Sequence, residues 1–317
     1  MSPPLVWRSF CNFVLRNRIS TQYLGFMKIL VTGATGQLGL SLKRVLESEI
    51  PGKTYYFDHN NLDITDAAGV EQTLKKGGYT HIINAAAYTA VDLAEDETGA
   101  CAAVNVDGVC NLAKVADETG AKLIHISTDY VFDGARGVPY KESDKPNPLS
   151  HYGATKRKGE KALIALLPEA IIIRTGWLYS PFGKNFVKTI LSKIEKGEKL
   201  NVVSDQIGTP TSALDLARMI YKVISSPKWV AGTYHFSNEG VASWYDFALA
   251  IREIAGYNTE IKPISTDDFV TAAKRPLYSV LDKSLIKATY SVAIPYWRDS
   301  LKEVIANLSE MKNNNNL

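Results

Sequence analysis

The chain has 317 residues, of which 45% are hydrophobic, and a formal net charge of +3 at pH 7. This length is ample to bury a core and suggests two domains. Residues 1–26 contain three arginines and no lysine or acidic residue, so the remainder holds 33 basic and 33 acidic residues. That balance argues against a nucleic-acid-binding surface, and no apolar run is long enough to span a bilayer.

The cysteines argue against two further kinds of protein. The chain holds Cys11, Cys101 and Cys110, an odd number with no C-x-x-C pair. This pattern is not that of a disulfide framework, and no His/Cys cluster has the spacing of metal ligands. We therefore expect no metal site, and the reduced cysteines predict a cytoplasmic protein.

Residues 1–26 differ from the rest because they are apolar, carry arginine and lack acidic residues. A targeting segment has this composition, but Arg8 and Asn12 interrupt its apolar stretch. We favour the alternative, an upstream start or a disordered extension, because Met27 leads directly into an apolar strand. At the other end, residues 313–317 are expected to form a frayed tail.

From Met27 onward, short apolar runs alternate with segments of helical periodicity. Strands are predicted at residues 28–32, 54–57, 81–84, 123–126 and 171–173. Helices are predicted from Leu38 to Leu46, after a cap at Asp66, and at residues 104–116 and 150–166. Repeated β-α-β units predict an α/β fold with a doubly wound, Rossmann-type parallel sheet covered by helices on both faces.

After residue 174 the alternation loosens and Gly/Pro-rich loops appear. Helices are expected at residues 185–195, 213–224, 244–254 and 299–309, and a strand at 233–236 is expected to return to the main sheet. We therefore predict a dinucleotide-binding domain over residues 27–175. Residues 176–312 are predicted to form a smaller, interleaved substrate domain.

A glycine motif, G-x-x-G-x-x-G, directly follows the first predicted strand. It comprises Gly33, Gly36 and Gly39, with Gln37 and Leu38 between the last two. Such glycines permit a tight turn, close approach of the backbone to a pyrophosphate, and packing of helix on strand. The alternative is a simple glycine-rich turn, but the position between a strand and a helix favours dinucleotide binding.

Two other strand ends are candidate cofactor contacts. Asp58 follows the second strand at the distance expected for a carboxylate that binds the adenosine ribose, which would favour NAD(H). Asp58 equally suits a turn, so both interpretations stay open. Asp63 and Ile64 are candidates to face the adenine. The small residues 85–87 after the third strand suit a closely bound cofactor, or simply tight packing.

The strongest constellation joins Ser127, Thr128 and Asp129, at the end of the fourth strand, with Tyr152 and Lys156. Four-residue spacing in a helix places Tyr152 and Lys156 on one face. Carbonyl reduction requires a proton donor, and we expect the ammonium to lower the pKa of the phenol. Thr128 is a candidate to hold the carbonyl oxygen. The alternative is a surface tyrosine beside a solvated lysine.

Weaker signals come from single residues. Asn105 is a candidate to orient water or a backbone carbonyl near Lys156, or is a polar helix residue. Trp177 suits the wall of a sugar pocket or a core position. Arg275 suits a diphosphate contact, although a solvated arginine is the safer interpretation. His125 is interpreted as a strand histidine rather than a base.

These motifs resemble those of the extended short-chain dehydrogenase/reductases, and within them the dTDP-4-dehydrorhamnose reductase family. The resemblance covers nearly everything after Met27. It rests on MKILVTGATGQLG, INAAAYTAVDLAE, VNVDG, HISTDYVFDG, PNPLSHYGATKRKGE, RTGWLYSPFGKNFVKT, DQIGTPTSALDLA and KRPLYSVLD.

The resemblance implies reduction of the 4-keto group of dTDP-4-dehydro-L-rhamnose with NADPH or NADH. Tyr152 would be the general acid, Lys156 would bind the nicotinamide ribose and tune Tyr152, and Thr128 would complete the triad. Asp129 and Trp177 would contact the nucleotide-sugar substrate. The cofactor contacts implied by the resemblance are Gly36, Gln37, Leu38, Asp63, Ile64, Ala87, Tyr88 and Thr89.

One position departs from the family pattern. Some members carry a glutamate, tied to a magnesium-bridged dimer, where this chain has Ser41. A metal-bridged dimer is therefore not expected, while a homodimer of another kind stays open.

Two alternatives remain. One is a reductase or epimerase that acts on another nucleotide-activated sugar. The other is a binding module such as the beta regulatory subunit of methionine adenosyltransferase, which resembles the same family; the intact Tyr152, Lys156 and Thr128 argue against it.

Overall fold

The computed structural model describes residues 25–314. Most of the predicted N-terminal extension, residues 1–24, lies outside the described residues, as do residues 315–317. The last helix extends to Asn314, so the tail predicted from residue 313 starts within a helix.

The described residues form a six-stranded parallel sheet. Its strands are β1 (Ile29–Thr32), β2 (Thr54–Phe57), β3 (His81–Asn84), β4 (Lys122–Thr128), β5 (Ile171–Thr175) and β10 (Gly232–His235). They lie in the order β10-β5-β4-β3-β1-β2. Every residue of β1, β3 and β5 is buried, as continuous apolar strands between two helical layers should be. The predicted Rossmann-type sheet and the return of the late strand are confirmed.

The helices follow the predicted order with shifts at their ends. They are α1 (Gln37–Glu49), α2 (Ala67–Gly77), α3 (Thr98–Ala102), α4 (Gly108–Thr119), α5 (His151–Leu166), α6 (Phe186–Glu195), α7 (Ala213–Ile224), α8 (Trp244–Ile254), α9 (Ser284–Tyr290) and α10 (Trp297–Asn314). A π-helical turn, Ala103–Asp107, joins α3 to α4, so the helix predicted from residue 104 begins earlier and is interrupted. Asp66 caps α2 by accepting from the Ala68 amide, as predicted.

Apolar side chains cover both faces of the sheet. One cluster packs α1 and α7 on the sheet through residues such as Leu42, Leu216 and Ile220. A second cluster packs α2, α4 and α5 on the other face. Because α7 and β10 come from the second half of the chain, that half contributes directly to the core of the main sheet.

A third apolar cluster lies apart from these two and is built only from residues beyond 176. It joins α6, α8 and α10 with two strands that pair in parallel, β7 (Leu200–Val203) and β12 (Ile261–Ile264). Four two-residue strands also occur here: β6 (Leu178–Tyr179), β8 (Ile207–Gly208), β9 (Thr211–Ser212) and β11 (Ala242–Ser243). The sequence did not predict these six strands, because such short segments carry little periodicity.

No helix between residues 25 and 314 combines the length and apolar character needed to cross a bilayer. Within the same residues, no group of three or more His, Cys, Asp or Glu side chains is placed to hold a metal ion.

Shortening a buried side chain of α7 should test how strongly the second half of the chain stabilises the main core. Ile220 is 0% exposed, so Ile220→Ala should lower the free energy of unfolding by about 2–5 kcal/mol. Ile164→Ala, at a 42% exposed position on α5, is the control and should cost well under 1 kcal/mol. Denaturant unfolding measures both, and equal losses would contradict this packing.

Candidate active site

The glycine turn after β1 lies so close to the end of β3 that it leaves no room for a side chain at Gly33. Gly33 has a left-handed φ of 64°. A Cβ on Gly33 would lie 2.7 Å from the Ala86 amide nitrogen, and one on Gly39 would collide with the Gly33 carbonyl. Gly33 therefore requires glycine for both conformation and space, and Gly39 requires it for space.

The start of α1 is open to a ligand. Gly36 precedes the helix and offers no side-chain cap to its first amides, and Thr35 and Gly36 are exposed. Uncapped amides at an exposed helix N-terminus bind phosphate. The residues present thus fit the pyrophosphate of a dinucleotide. Leu38 is buried in the core, so only its backbone is available at this turn.

The structure shows Asp58 bound to its own turn. Its Oδ1 accepts from the amides of Asn60 and Asn61 at 3.0 and 3.2 Å. The turn interpretation therefore applies, and a ribose contact by Asp58 stays a prediction.

Asp63 also caps its own loop. Its Oδ1 accepts from the Thr65 amide and hydroxyl at 2.9 and 2.8 Å. The hydrogen bond from the Thr65 amide is the main reason that the pKa of Asp63 is lowered. The Ile64 side chain is buried against Gly108, which leaves its backbone as the part that a cofactor could reach.

Asn105 fixes the segment after β3, where Ala87, Tyr88 and Thr89 lie. Its Oδ1 accepts from the Tyr88 amide at 3.0 Å and its Nδ2 donates to the Tyr88 carbonyl at 3.2 Å. Asn105 lies in the π-helical turn and is 1% exposed. The sequence anticipated a carbonyl held by Asn105, but not that both backbone groups of Tyr88 would be bound.

Tyr152, on the first turn of α5, is brought to Thr128 at the end of β4. Burial raises the pKa of the Tyr152 phenol, and a hydrogen bond with Thr128 opposes this only in part. The Tyr130 ring packs edge-on at 5.6 Å between centroids. The pKa of Tyr152 is therefore raised, whereas the sequence led us to expect that Lys156 would lower it, because the effect of burial dominates.

Lys156 is 1% exposed and directed toward β4. Its Nζ donates to the Ile126 carbonyl at 2.7 Å and lies 3.4 Å from His125 Nε2. Burial lowers the pKa of Lys156 to about 8, although the charge of Glu160 acts in the opposite direction. Lys156 therefore shares the helix face with Tyr152 as predicted, while its amine is held by the strand.

Ser127 and Thr128 have different partners because neighbouring strand residues point to opposite sides. Ser127 donates to the buried Glu160 at 2.6 Å. Glu160 also accepts from Arg174 and Arg157, each at 2.7–2.8 Å. Ser127 thus belongs to a structural ion network, and Thr128 alone of the pair is placed with Tyr152.

Asp129 is a buried carboxyl that forms no ion pair among the described residues. It is 2% exposed, and its Oδ1 accepts from Thr128 at 3.1 Å. Its Oδ2 has no hydrogen-bond partner among residues 25–314. Burial raises the pKa of Asp129 to about 6, against the effect of hydrogen bonds with Ser279 and Thr128. An unpaired buried oxygen at a strand end is a group that a polar ligand could satisfy.

Trp177 lies just after β5 and is half-buried, with a left-handed φ of 51°. Its ring stacks on Trp244 at 3.6 Å between centroids and 6° between planes, and it covers Gly208. The sequence did not identify Trp244, because the two residues belong to elements that are distant along the chain.

Arg275 is not the solvated arginine that the sequence favoured. Its guanidinium donates to Asp92 at 2.6 Å and to the Tyr130 hydroxyl at 3.2 Å, while its Nε is buried without a partner within residues 25–314. The loop that contains Arg275 is thereby attached to the segment after β3, beside the Tyr130–Tyr152 ring pair. The only signal in the sequence was the Arg-Pro pair itself.

Removing the charge of Asp129 should stabilise the protein. The usual pKa of 3.8 is raised to about 6 on folding, so stability is lost as pH rises through this window and the cost persists above it. Asp129→Asn should therefore raise the free energy of unfolding at pH 8 by about 1–3 kcal/mol, with the gain shrinking toward pH 4.

Asp133 is the matched control. Hydrogen bonds, chiefly from the Ala135 amide, lower its pKa, so its charged form is stabilising above the usual pKa. Asp133→Asn should accordingly destabilise the protein at pH 8. Urea unfolding at several pH values measures the stability of both variants. A loss of stability in Asp129→Asn at pH 8 would contradict the raised pKa of Asp129.

The comparisons with known proteins agree with this geometry. The family model described as the RmlD substrate binding domain matches residues 27–310. The dTDP-4-dehydrorhamnose reductase of Aggregatibacter actinomycetemcomitans is 40% identical over 289 residues, covering 88% of this chain and 98% of the relative.

Solved structures give the same result. The dTDP-4-dehydrorhamnose reductase of Clostridium acetobutylicum is 42% identical, with a TM-score of 0.85 over 89% of this chain and 100% of the other. The enzyme of Bacillus anthracis, solved in complex with NADP, is 40% identical, with a TM-score of 0.85 over 89% of this chain and 99% of the other. The chain therefore belongs to the RmlD substrate binding domain family, which confirms its resemblance to the dTDP-4-dehydrorhamnose reductases.

Proposed function

We propose that this protein reduces the 4-keto group of dTDP-4-dehydro-L-rhamnose to give dTDP-L-rhamnose, with NADPH or NADH as reductant. The observation that carries the proposal is the meeting of Tyr152 and Thr128 at the end of β4, on the sheet edge that also carries the glycine turn. The names of the relatives support this substrate and chemistry.

The cofactor would be held by the turn after β1 and by neighbouring strand ends. Gly33, Gly36 and Gly39 give the backbone room for the pyrophosphate, and the amides near Gln37 and Leu38 offer hydrogen bonds. Asp58, Asp63 and Ile64 are proposed for the adenosine side; Ala87, Tyr88 and Thr89 are proposed for the remainder. A bound reduced nicotinamide supplies the hydride for the carbonyl carbon.

Tyr152 supplies the proton. Its raised pKa keeps the phenol protonated at neutral pH, so Oη has a proton to donate to the carbonyl oxygen as negative charge develops there. Thr128 Oγ1 lies in the same place, and its hydroxyl, which donates to Asp129 in this structure, would turn to donate to the carbonyl oxygen and stabilise the developing charge. Lys156, one turn of α5 after Tyr152, is proposed to bind the nicotinamide ribose.

Asp129 and Trp177 are proposed to contact the sugar. Asp129 Oδ2 is an acceptor without a partner among the described residues, and a sugar hydroxyl would satisfy it. The exposed part of the Trp177 ring, beside its contacts with Trp244 and Gly208, suits a contact with the apolar part of a sugar. We propose that the third apolar cluster forms the core of the substrate domain predicted over residues 176–312.

The proposal extends to the state of assembly and the cellular location. Ser41 is buried and donates to the Gln37 carbonyl within α1, so it offers no metal ligand for a bridged dimer. A homodimer formed by other surfaces and a cytoplasmic location are both consistent with the proposed activity.

Loss of one oxygen atom tests the proton donor. Tyr152→Phe should lower kcat by about two to four decades, the usual contribution of a positioned general acid, while NADPH binding is retained. The measurement is consumption of NADPH or NADH with dTDP-4-dehydrorhamnose, together with a fluorescence titration of cofactor binding.

Tyr140→Phe is the control, because Tyr140 is also buried but its hydroxyl donates to Asp133. It should keep nearly full turnover. Wild-type turnover in Tyr152→Phe would refute the assignment. Turnover of another nucleotide 4-ketosugar in place of this substrate would favour the first alternative, and stoichiometric capture of a methionine adenosyltransferase without reductase activity would favour the second.

A further inference from the structure

A row of buried polar side chains crosses the sheet from the glycine turn to Lys156. Thr32, Asn84 and His125 are register partners on β1, β3 and β4, and each is at most 1% exposed. Thr32 Oγ1 lies 2.7 Å from Asn84 Oδ1, Asn84 Nδ2 lies 3.0 Å from His125 Nδ1, and His125 Nε2 lies 3.4 Å from Lys156 Nζ. The proposed mechanism uses only the last of these four residues.

The backbone fixes the direction of these hydrogen bonds. The Ala86 amide donates to Thr32 Oγ1 and Asn84 Oδ1, both at 3.2 Å. Thr32 therefore directs its own proton to Asn84 Oδ1, and the amide nitrogen of Asn84 must face His125. An amide nitrogen can only donate, so His125 Nδ1 accepts and the ring proton resides on Nε2.

This tautomer opposes the charge of Lys156. An ammonium group has donors only, so it would meet the Nε2–H of His125 donor to donor, whereas a neutral amine could accept. Burial lowers the pKa of His125 well below its usual value, so a neutral ring is expected. Three other groups act on Lys156 in the opposite direction and favour its charged form: Glu160, Cys101 and the Ile126 carbonyl.

We propose that His125 is a positioning residue for the proposed reduction: held in one tautomer by Asn84 and Thr32, its ring sets the orientation and protonation of the Lys156 amine. The effect of His125 on catalysis, but not its tautomer, rests on the proposed function. Because the row starts at Thr32, directly before Gly33, the cofactor turn and the lysine form one hydrogen-bonded unit.

The tautomer can be observed without turnover. In wild-type protein labelled with ¹⁵N-histidine, the imidazole nitrogens of His125 should show a protonated Nε2 and an unprotonated Nδ1 at neutral pH. The His125→Gln variant assigns the signal. A proton found on Nδ1 would overturn the proposal, whatever the activity of the protein.

Asn84→Asp should reverse the tautomer. A carboxylate can accept from Thr32, from the Ala86 amide and from His125 Nδ1, which frees Nε2 to accept from the Lys156 ammonium. The pKa of Lys156, followed by its ¹³Cε shift, should rise by about one unit or more. The alkaline limb of kcat/KM should move to higher pH by a similar amount.

The new charge also acts on Lys156 directly, so Asn84→Asp is repeated in a His125→Leu background. The rise in the pKa of Lys156 should be clearly smaller there, and an equal rise would overturn the role of the ring. His81→Gln, at a buried histidine on β3 that starts the same strand, is the control and should leave the pH profile unchanged.

Failure of the two proposals can be told apart. Absence of turnover with every ketosugar would refute the proposed function and, with it, the catalytic meaning of His125. Normal turnover with the other tautomer, or with an unmoved pH profile in Asn84→Asp, would refute the role of His125 alone.

Discussion

The close approach of Gly33 to Ala85 and Ala86 is the contact on which the site depends. It places the ends of β1 and β3 against each other with no intervening side chain. The same short distance lets the Ala86 amide reach Thr32 and Asn84, so one backbone contact shapes the glycine turn and starts the polar row across the sheet. A side chain at residue 33 would therefore disturb both.

Burial controls the chemistry of the site, and it favours the neutral form of each group. It raises the pKa of Tyr152, lowers the pKa of Lys156 to about 8 and raises the pKa of Asp129 to about 6. Glu160, equally buried, behaves differently because Arg174 and Arg157 neutralise it, and its pKa is lowered in spite of burial. Among the described residues Tyr152 and Asp129 form no ion pair, and the charge of Glu160 does not offset the burial of Lys156.

The sequence predicted those features of the protein that a local pattern of residues determines. The main strands are continuous apolar runs, and the spacing of Tyr152 and Lys156 placed both on one helix face. The direction of the Lys156 amine was not predictable, because it depends on the Ile126 carbonyl across a helix–strand contact. The Arg275–Asp92 ion pair and the Trp177–Trp244 stack join residues far apart in sequence, and a single sequence carries no local signal for either.

The junction between the main sheet and the third apolar cluster holds Trp177 in a strained backbone conformation. The chain leaves β5, passes through Trp177 in a left-handed conformation and enters β6, which pairs in parallel with β9. A left-handed conformation costs a residue with a Cβ about 1–2 kcal/mol. The Trp177 carbonyl accepts from the Thr211 amide of β9 at 3.1 Å, and the Ser212 amide of β9 donates to Asn238 at 2.7 Å, so Trp177 is held by a strand that is itself anchored. Helix α7 then starts directly after β9 and packs on the main sheet. The ring of Trp177 is consequently fixed relative to both cores, and a sugar bound against it would be positioned with respect to Tyr152 by the fold rather than by a flexible loop.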